Sequence, residues 1–181
     1  MQYGVRSVSM DDVARDVSMS KKTLYQHFTN KDDLVQAVGR QHMEKEKVLF
    51  ANVTEQANNA IEELHLLSRC MRENIFKMNP SLLYDLQKYH RDAWDIYMEF
   101  KQSFVKGHIV ANLNQGIEEG YYRQEINPEV LAIVRMETIE LIFDDKIFPK
   151  SKYEFVEVQM QLFDHFVHGI LTEKGKQLYQ Q

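Results

Sequence analysis

The chain has 181 residues, 44% of them hydrophobic, with 22 Lys and Arg against 27 Asp and Glu and a formal net charge of -5. Seven Gly and three Pro leave long polar and apolar segments uninterrupted, and the lone cysteine, Cys70, excludes an intrachain disulfide and a cysteine-built metal cage. No charged leader with an apolar stretch opens the sequence and no apolar run approaches the roughly 18 residues that span a bilayer, so the expectation is a cytoplasmic, all-α protein with no membrane partner.

Charge divides unevenly along the chain. Residues 1–47 carry eight Lys or Arg and seven Asp or Glu, which leaves -6 for residues 48–181. Val17 to Lys31 holds Lys21, Lys22 and Lys31 and no acid. Screening beyond about 10 Å hides distant carboxylates, so such a basic surface approaches phosphates even on an acidic protein. Two compact domains are expected, 1–47 and 48–181.

Ser9 with Asp12 forms a capping box, which predicts a helix starting at Met10 with Val13 and Ala14 on its apolar face. Val17-Ser18-Met19-Ser20 interrupts the pattern, and Ser20 caps a second helix through Phe28. Two short helices joined by such a turn read as helix-turn-helix. Leu24 and Phe28, four apart, face inward, which leaves Lys21, Lys22, Thr23, Gln26 and His27 outside with donors for phosphates and base edges. Asn30 with Asp33 caps a third helix that buries Leu34, Val35 and Val38 and extends into Arg40–Lys47; Gly39 within it costs about 1 kcal/mol relative to Ala and is expected to permit close packing or bending.

The run from Val13 to Leu34, with its order Thr23-Leu24-Tyr25-x-His27-Phe28-x-x-Lys31-x-x-Leu34, resembles the DNA-binding segment of the TetR/AcrR family of one-component regulators. The resemblance implies that Lys21 to His27 enters the major groove of double-stranded operator DNA. Tyr25 and Lys31 would then touch phosphates, with Lys21, Lys22, Thr23, Gln26 and His27 near base edges; Ser9 and Met10, at a helix N-terminus, would hold another phosphate. His27 reads equally as a residue packed at the helix end. Ser18 stands where the family prefers Gly and is expected at positive φ. The family also has a helix before Tyr3-Gly4-Val5; Met1 is read either as an internal methionine of a longer frame or as the start of a truncated chain, and Val5, Val8, Val13 and Leu24 are expected to lack that helix as a partner.

Further along, Asn59 with Glu62 predicts another helix start, after which Ile61, Leu64, Leu67, Met71, Ile75 and Met78 follow the spacing of one buried face. Asn79-Pro80 and Asn127-Pro128 pair a capping residue with proline at the first helical position, and Pro149 precedes the capping box Ser151 to Glu154. A long helix is expected from about Asp92 to Glu119, ending near Gly120, with Gly175 ending the last helix. The two late helices are apolar on more than one face. In the family such helices form a four-helix dimer interface, which implies a homodimer through Ile139, Phe143, Phe163, Phe166, Val167 and Ile170; burial at the centre of one domain is the plainer alternative.

Met71, Ile75, Trp94, Tyr97, Met98, Phe104 and Met136 are large, adaptable side chains on helices expected to face one another, with His108 and Asn112 as polar points. They are candidates for the pocket of an unknown small-molecule effector, although such stripes are more often plain core. Catalytic and metal chemistry find little support. Glu62 and His65 make one Glu-x-x-His without a second copy, no nearby acid completes a site with His165 and His168, and the scattered glycines form no phosphate loop, so no cofactor and no metal are expected. The leading reading is a DNA-binding repressor relieved by a small ligand; the competitor is a helical ligand-binding or metal-dependent enzyme that has lost DNA binding.

Overall fold

Side-chain caps open six helices in the computed structural model of this chain, which describes residues 5–75, 81–149 and 151–180. Each cap satisfies a backbone N–H that the helix itself leaves without a partner. Among the described residues the regular structure is helical, with one isolated antiparallel bridge between Tyr122 and Leu171.

The chain divides into two units. Residues 1–47 with 77–100 form the first, and 48–76 with 101–181 the second. The first unit is discontinuous: the segment from Lys77 to Phe100 clusters with residues 1–47 and not with 48–181. Tertiary bonds within the first unit explain the difference. The Arg6 N–H donates to Asp85, Gln36 donates to Asp92 at 3.0 Å, and His90 Nδ1 lies 2.5 Å from Asp32 Oδ1.

In the first unit a 3₁₀ turn (Val5–Ser7) precedes α1 (Met10–Asp16), α2 (Lys21–His27) and α3 (Lys31–Gln56), and α5 (Ser81–Tyr89) and α6 (Arg91–Glu99) complete it. α3 continues beyond Lys47 into the second unit as one helix. Met10, Ala14 and Leu24 make a small core, flanked by Val13, Phe28 and Leu34. Leu24 is 3% exposed and Val5 is buried as well, with the 3₁₀ turn packed on α5. The expectation that Val5 and Leu24 lack partners is thus corrected: the small core and α5 supply them. A Cβ at Gly39 would meet nothing within 4 Å, so close packing is not its role.

The second unit contains α4 (Ala60–Ile75), α7 (Lys106–Glu118), α8 (Pro128–Leu141), α9 (Phe155–Ile170) and α10 (Glu173–Tyr179). Ala60, Ile61, Leu64, Leu113, Tyr122, Phe163, Val167, Ile170 and Leu171 form its core. The long helix expected from Asp92 to Glu119 exists with a π-helical segment, Phe100–Val105, between α6 and α7. It ends as expected, with Gly120 at φ +74°. Asn127 caps α8 with Pro128 in its first turn, whereas Asn79-Pro80 and Met78 lie outside the described residues.

Three expectations are corrected here. α9 starts after Glu154 without a side-chain cap, and the amides of Lys152 and Tyr153 bond back to the Pro149 carbonyl, so Pro149 sets a turn and no Ser151 box forms. Gly175 lies inside α10, which Thr172 caps; a Cβ there would come within 2.2 Å of the Tyr121 carbonyl, so the glycine serves close approach and not helix termination. Finally, Phe163, Val167 and Ile170 are 4%, 0% and 1% exposed in the chain's own core, so they are not a spare apolar stripe. The exposed apolar face belongs to α8, where Val130, Ile133, Val134 and Leu141 stand out; Ile139, Phe143 and Phe166 are half-buried.

Candidate nucleic-acid interface

Local chemistry builds the turn between α1 and α2. The Ser9 hydroxyl accepts from the Asp12 amide at 3.2 Å, and the Asp12 carboxylate accepts from the Ser9 amide at 2.9 Å, closing the box. Asp12 is held below the usual carboxylate range chiefly by the Ser9 hydroxyl and amide. At the other end of α1, the amides of Ser18 and Met19 bond to the carbonyls of Arg15 and Ala14, a helix stop that puts Ser18 at φ +55°. Ser20 then caps α2, accepting from the Thr23 amide at 3.0 Å. Leu24 anchors α2 on the small core, and the helical period leaves Lys21, Lys22, Tyr25, Gln26 and His27 exposed.

The expected DNA-contact residues share one helix and its two flanks. Thr23 is half-buried, its hydroxyl 2.7 Å from that of Ser20, which makes it part of the cap. Met10, expected at a phosphate, has a side chain that is 7% exposed and packs in the small core, so that side chain is not free for a contact. Lys31 opens α3 and reaches the Arg6 carbonyl at 3.4 Å. Lys21 lies 2.7 Å from Asp11, whose carboxylate raises the lysine's pKa by hydrogen bonding first and by charge second. This surface presents cations, a phenol, an amide and an imidazole around one exposed helix, the donor set that duplex DNA requires.

The candidate ligand residues do not gather in the same way. Trp94, Tyr97 and Met98 belong to the first unit, where the Trp94 and Tyr97 rings pair at 5.4 Å, and Phe104, His108, Asn112 and Met136 to the second. The side chains of Met71 and Ile75 lie outside the described residues. In the first unit, an opening of about 250 Å³ between α3 and the α5–α6 region contains none of the nine, and Asp32, Gln36, His90 and Asp92 in its lining are bonded in pairs.

His108 and Asn112 do meet, around a residue that sequence reasoning missed. Glu63 is 3% exposed, accepting from Thr54 at 2.6 Å and Asn112 at 2.5 Å, with His108 Nε2 3.3 Å away. Burial pushes its carboxyl up, but His108, Thr54 and Asn112 outweigh that and hold it below the usual carboxylate range. The single Tyr122 O–H is shared between Asn112 Oδ1 and the Ala60 carbonyl, each 3.1 Å away, and burial raises its own pKa strongly. Asn112 is therefore committed to the core. The available signal was Glu63 sharing a helical face with Ala60, Leu64 and Leu67.

Among the described residues no cluster of three or more His, Cys, Asp and Glu is arranged for a metal, and no helix is long and apolar enough to cross a membrane. Glu62 is taken up by Asn58, and the rings of His65 and His168 lie against Tyr179.

Residues 1–38 match the family described as bacterial regulatory proteins, tetR family. The chain is 27% identical over 172 residues to the HTH-type transcriptional regulator YvaF of Bacillus subtilis (strain 168), covering 93% of this chain and 88% of that protein. It is 24% identical over 133 residues to the HTH-type transcriptional repressor KstR2 of Mycobacterium tuberculosis, covering 72% and 66% of the two chains. A transcriptional regulator of the TetR family from Agrobacterium tumefaciens has a similar structure, with a TM-score of 0.78 at 15% identity over 93% of this chain and 90% of that one. The ketosteroid regulator KstR2 superposes with a TM-score of 0.62 at 21% identity, over 93% and 87%.

Proposed function

We infer that this chain, a TetR-family transcriptional regulator and not an enzyme, is a cytoplasmic repressor that binds operator DNA as a homodimer and is released by a small ligand taken up by its second unit. The observation that carries the reading is α2: an exposed helix, anchored by Leu24 and capped by Ser20, that offers Lys21, Lys22, Tyr25, Gln26 and His27 to a duplex. Lys31 and the start of α1 flank it as phosphate contacts.

Dimerisation is supported by Val130, Ile133, Val134 and Leu141, an apolar face on α8 that a soluble helix seldom leaves wet. A second copy would cover it and set two recognition helices on half-sites one helical turn or a multiple apart. α3 supports the coupling, because the same helix carries Lys31 in its first turn and Thr54, bonded to Glu63, near its end. A ligand that favours the DNA-incompetent dimer by about 1–3 kcal/mol changes operator affinity roughly 5- to 150-fold, and linkage requires the operator to weaken the ligand equally.

The test is fluorescence anisotropy of the full chain with labelled DNA from upstream of its own gene. Nanomolar, salt-sensitive, sequence-selective binding that a metabolite extract relieves supports the reading. Binding equal to that of scrambled DNA overturns it.

A further inference from the structure

The second unit buries a cation with no anion beside it. Arg135 on α8 is 4% exposed, its Nη1 has no hydrogen-bond partner, and among the described residues no carboxylate lies within ion-pair distance of it. The acids of α8 are turned elsewhere: Glu129 to Lys106 at 2.7 Å, Glu137 and Glu140 to Lys101 at 3.1 and 2.8 Å. Burial alone pulls the guanidinium down to about 10, so it stays charged at neutral pH. The Phe163 and Phe166 rings lie 5.0 and 5.7 Å from its Cζ, and their faces offset only part of the cost of a charge held away from water.

A second orphan lies on the adjacent helix, α9. Gln159 precedes Phe163 by four residues on the buried face of α9 and is 1% exposed, and neither its Oε1 nor its Nε2 has a partner. Phe163 is thus both the ring under Arg135 and the next buried residue after Gln159. Two adjacent helices thus each bury an unsatisfied polar side chain, one over the Phe163 ring and the other a turn before Phe163 on α9, and buried polar groups of this kind are normally satisfied. Both side chains lie on inward faces, opposite to the exposed stripe of α8, so a second copy does not reach them.

We propose that Arg135 and Gln159 form the head-group subsite for the effector, and that the effector is an anion on a largely apolar body: a carboxylate or phosphate held by the guanidinium fork and the amide, with its apolar part against Phe163, Phe166 and neighbouring core. Carboxylate and phosphate each present paired oxygens that accept bidentately from arginine's planar fork. The proposal rests on the sensing role inferred for the second unit and specifies its ligand class.

The test titrates the full chain, by calorimetry and thermal shift, with dodecanoate, dodecyl phosphate, dodecanol and dodecylammonium, all below their micelle concentrations. The anions are expected to bind at least about tenfold tighter than dodecanol, with dodecylammonium weakest, and the two anions together tell carboxylate from phosphate. Arg135→Met should erase the preference for the anions without lowering the melting temperature of the free protein, because an unpaired buried charge is replaced by an apolar side chain of similar length. Gln159→Leu serves as the second variant and should narrow the preference. Equal binding of dodecanol and the anions, binding of none of the four, or a preference unchanged in Arg135→Met would overturn the proposal. Operator release measured in parallel separates it from the broader reading: release by a neutral compound alone keeps the sensor and removes this subsite, whereas anion selectivity without any operator binding removes the regulator and keeps the subsite.

Discussion

Nζ of Lys21 lies 2.7 Å from Oδ1 of Asp11, so a cation of α2 is held by an acid on the preceding helix. Both side chains are more than half exposed, and such pairs contribute about 0–1 kcal/mol, little enough for a DNA phosphate to displace the carboxylate. Asp11→Asn should therefore raise operator affinity severalfold at low salt and less at high salt, because it removes a negative charge facing the duplex. Anisotropy titrations at two salt concentrations check this; unchanged affinity at both would show that Asp11 stays clear of the DNA.

Lys31 and Gln26 should behave differently when replaced. Lys31→Ala is expected to weaken all sequences alike and to lower the salt slope by about 1, since a phosphate contact carries no sequence information. Gln26→Ala should relax specificity at one base position by about 1–3 kcal/mol. The joint substitution of Lys21, Tyr25 and Lys31 by Ala should abolish operator binding, and retention of binding in that variant would falsify the assignment of this face.

Dimerisation should depend on α8. Ile133→Glu or Val134→Glu puts a carboxylate on the exposed apolar face and is expected to give a folded monomer by sedimentation, with circular dichroism unchanged. Phe163→Glu should unfold the second unit, because that side chain is 4% exposed in its core. A folded, monomeric Phe163→Glu chain would return α9 to the interface.

Glu63 makes stability depend on acid. Its folded pKa lies below the ordinary value of 4.5, so the carboxylate's contribution is complete above 4.5 and is lost as pH falls through the lower, folded value. Thermal melts from pH 6 to pH 3 should show a smaller acid-induced loss for Glu63→Gln than for the parent. At neutral pH the variant should be less stable by about 1–3 kcal/mol, since the single amide oxygen cannot accept from both Thr54 and Asn112 as the carboxylate does. Parallel acid curves for the two proteins would count against the network.

Ser18 holds φ +55°, a conformation that costs a side-chain-bearing residue about 1 kcal/mol. Ser18→Gly should therefore raise the melting temperature by about 2–4 °C if the whole chain unfolds together, and by more if the first unit melts separately. A lower melting temperature would mean that the serine side chain makes a compensating bond.

Local chemistry was legible in the amino-acid sequence. Ser9 with Asp12, Ser20, Asn30, Asn59 and Asn127 each marked a helix start, because a cap is decided by a side chain and an amide two or three residues away. The exposed set on α2 followed from Leu24 and the helical period, whereas the positive φ of Ser18 was signalled by the family resemblance, which places it where Gly is preferred. What lay beyond reach were choices made between distant elements. Tyr121 approaching Gly175, α5 packed on the turn at Val5, and Glu63 finding Thr54, His108 and Asn112 are settled by which helix faces meet. The same holds for α9. Its residues are apolar around much of the helix, so composition leaves open which face turns inward, and only packing decided that Phe163, Val167 and Ile170 fill the core while α8 keeps the exposed stripe.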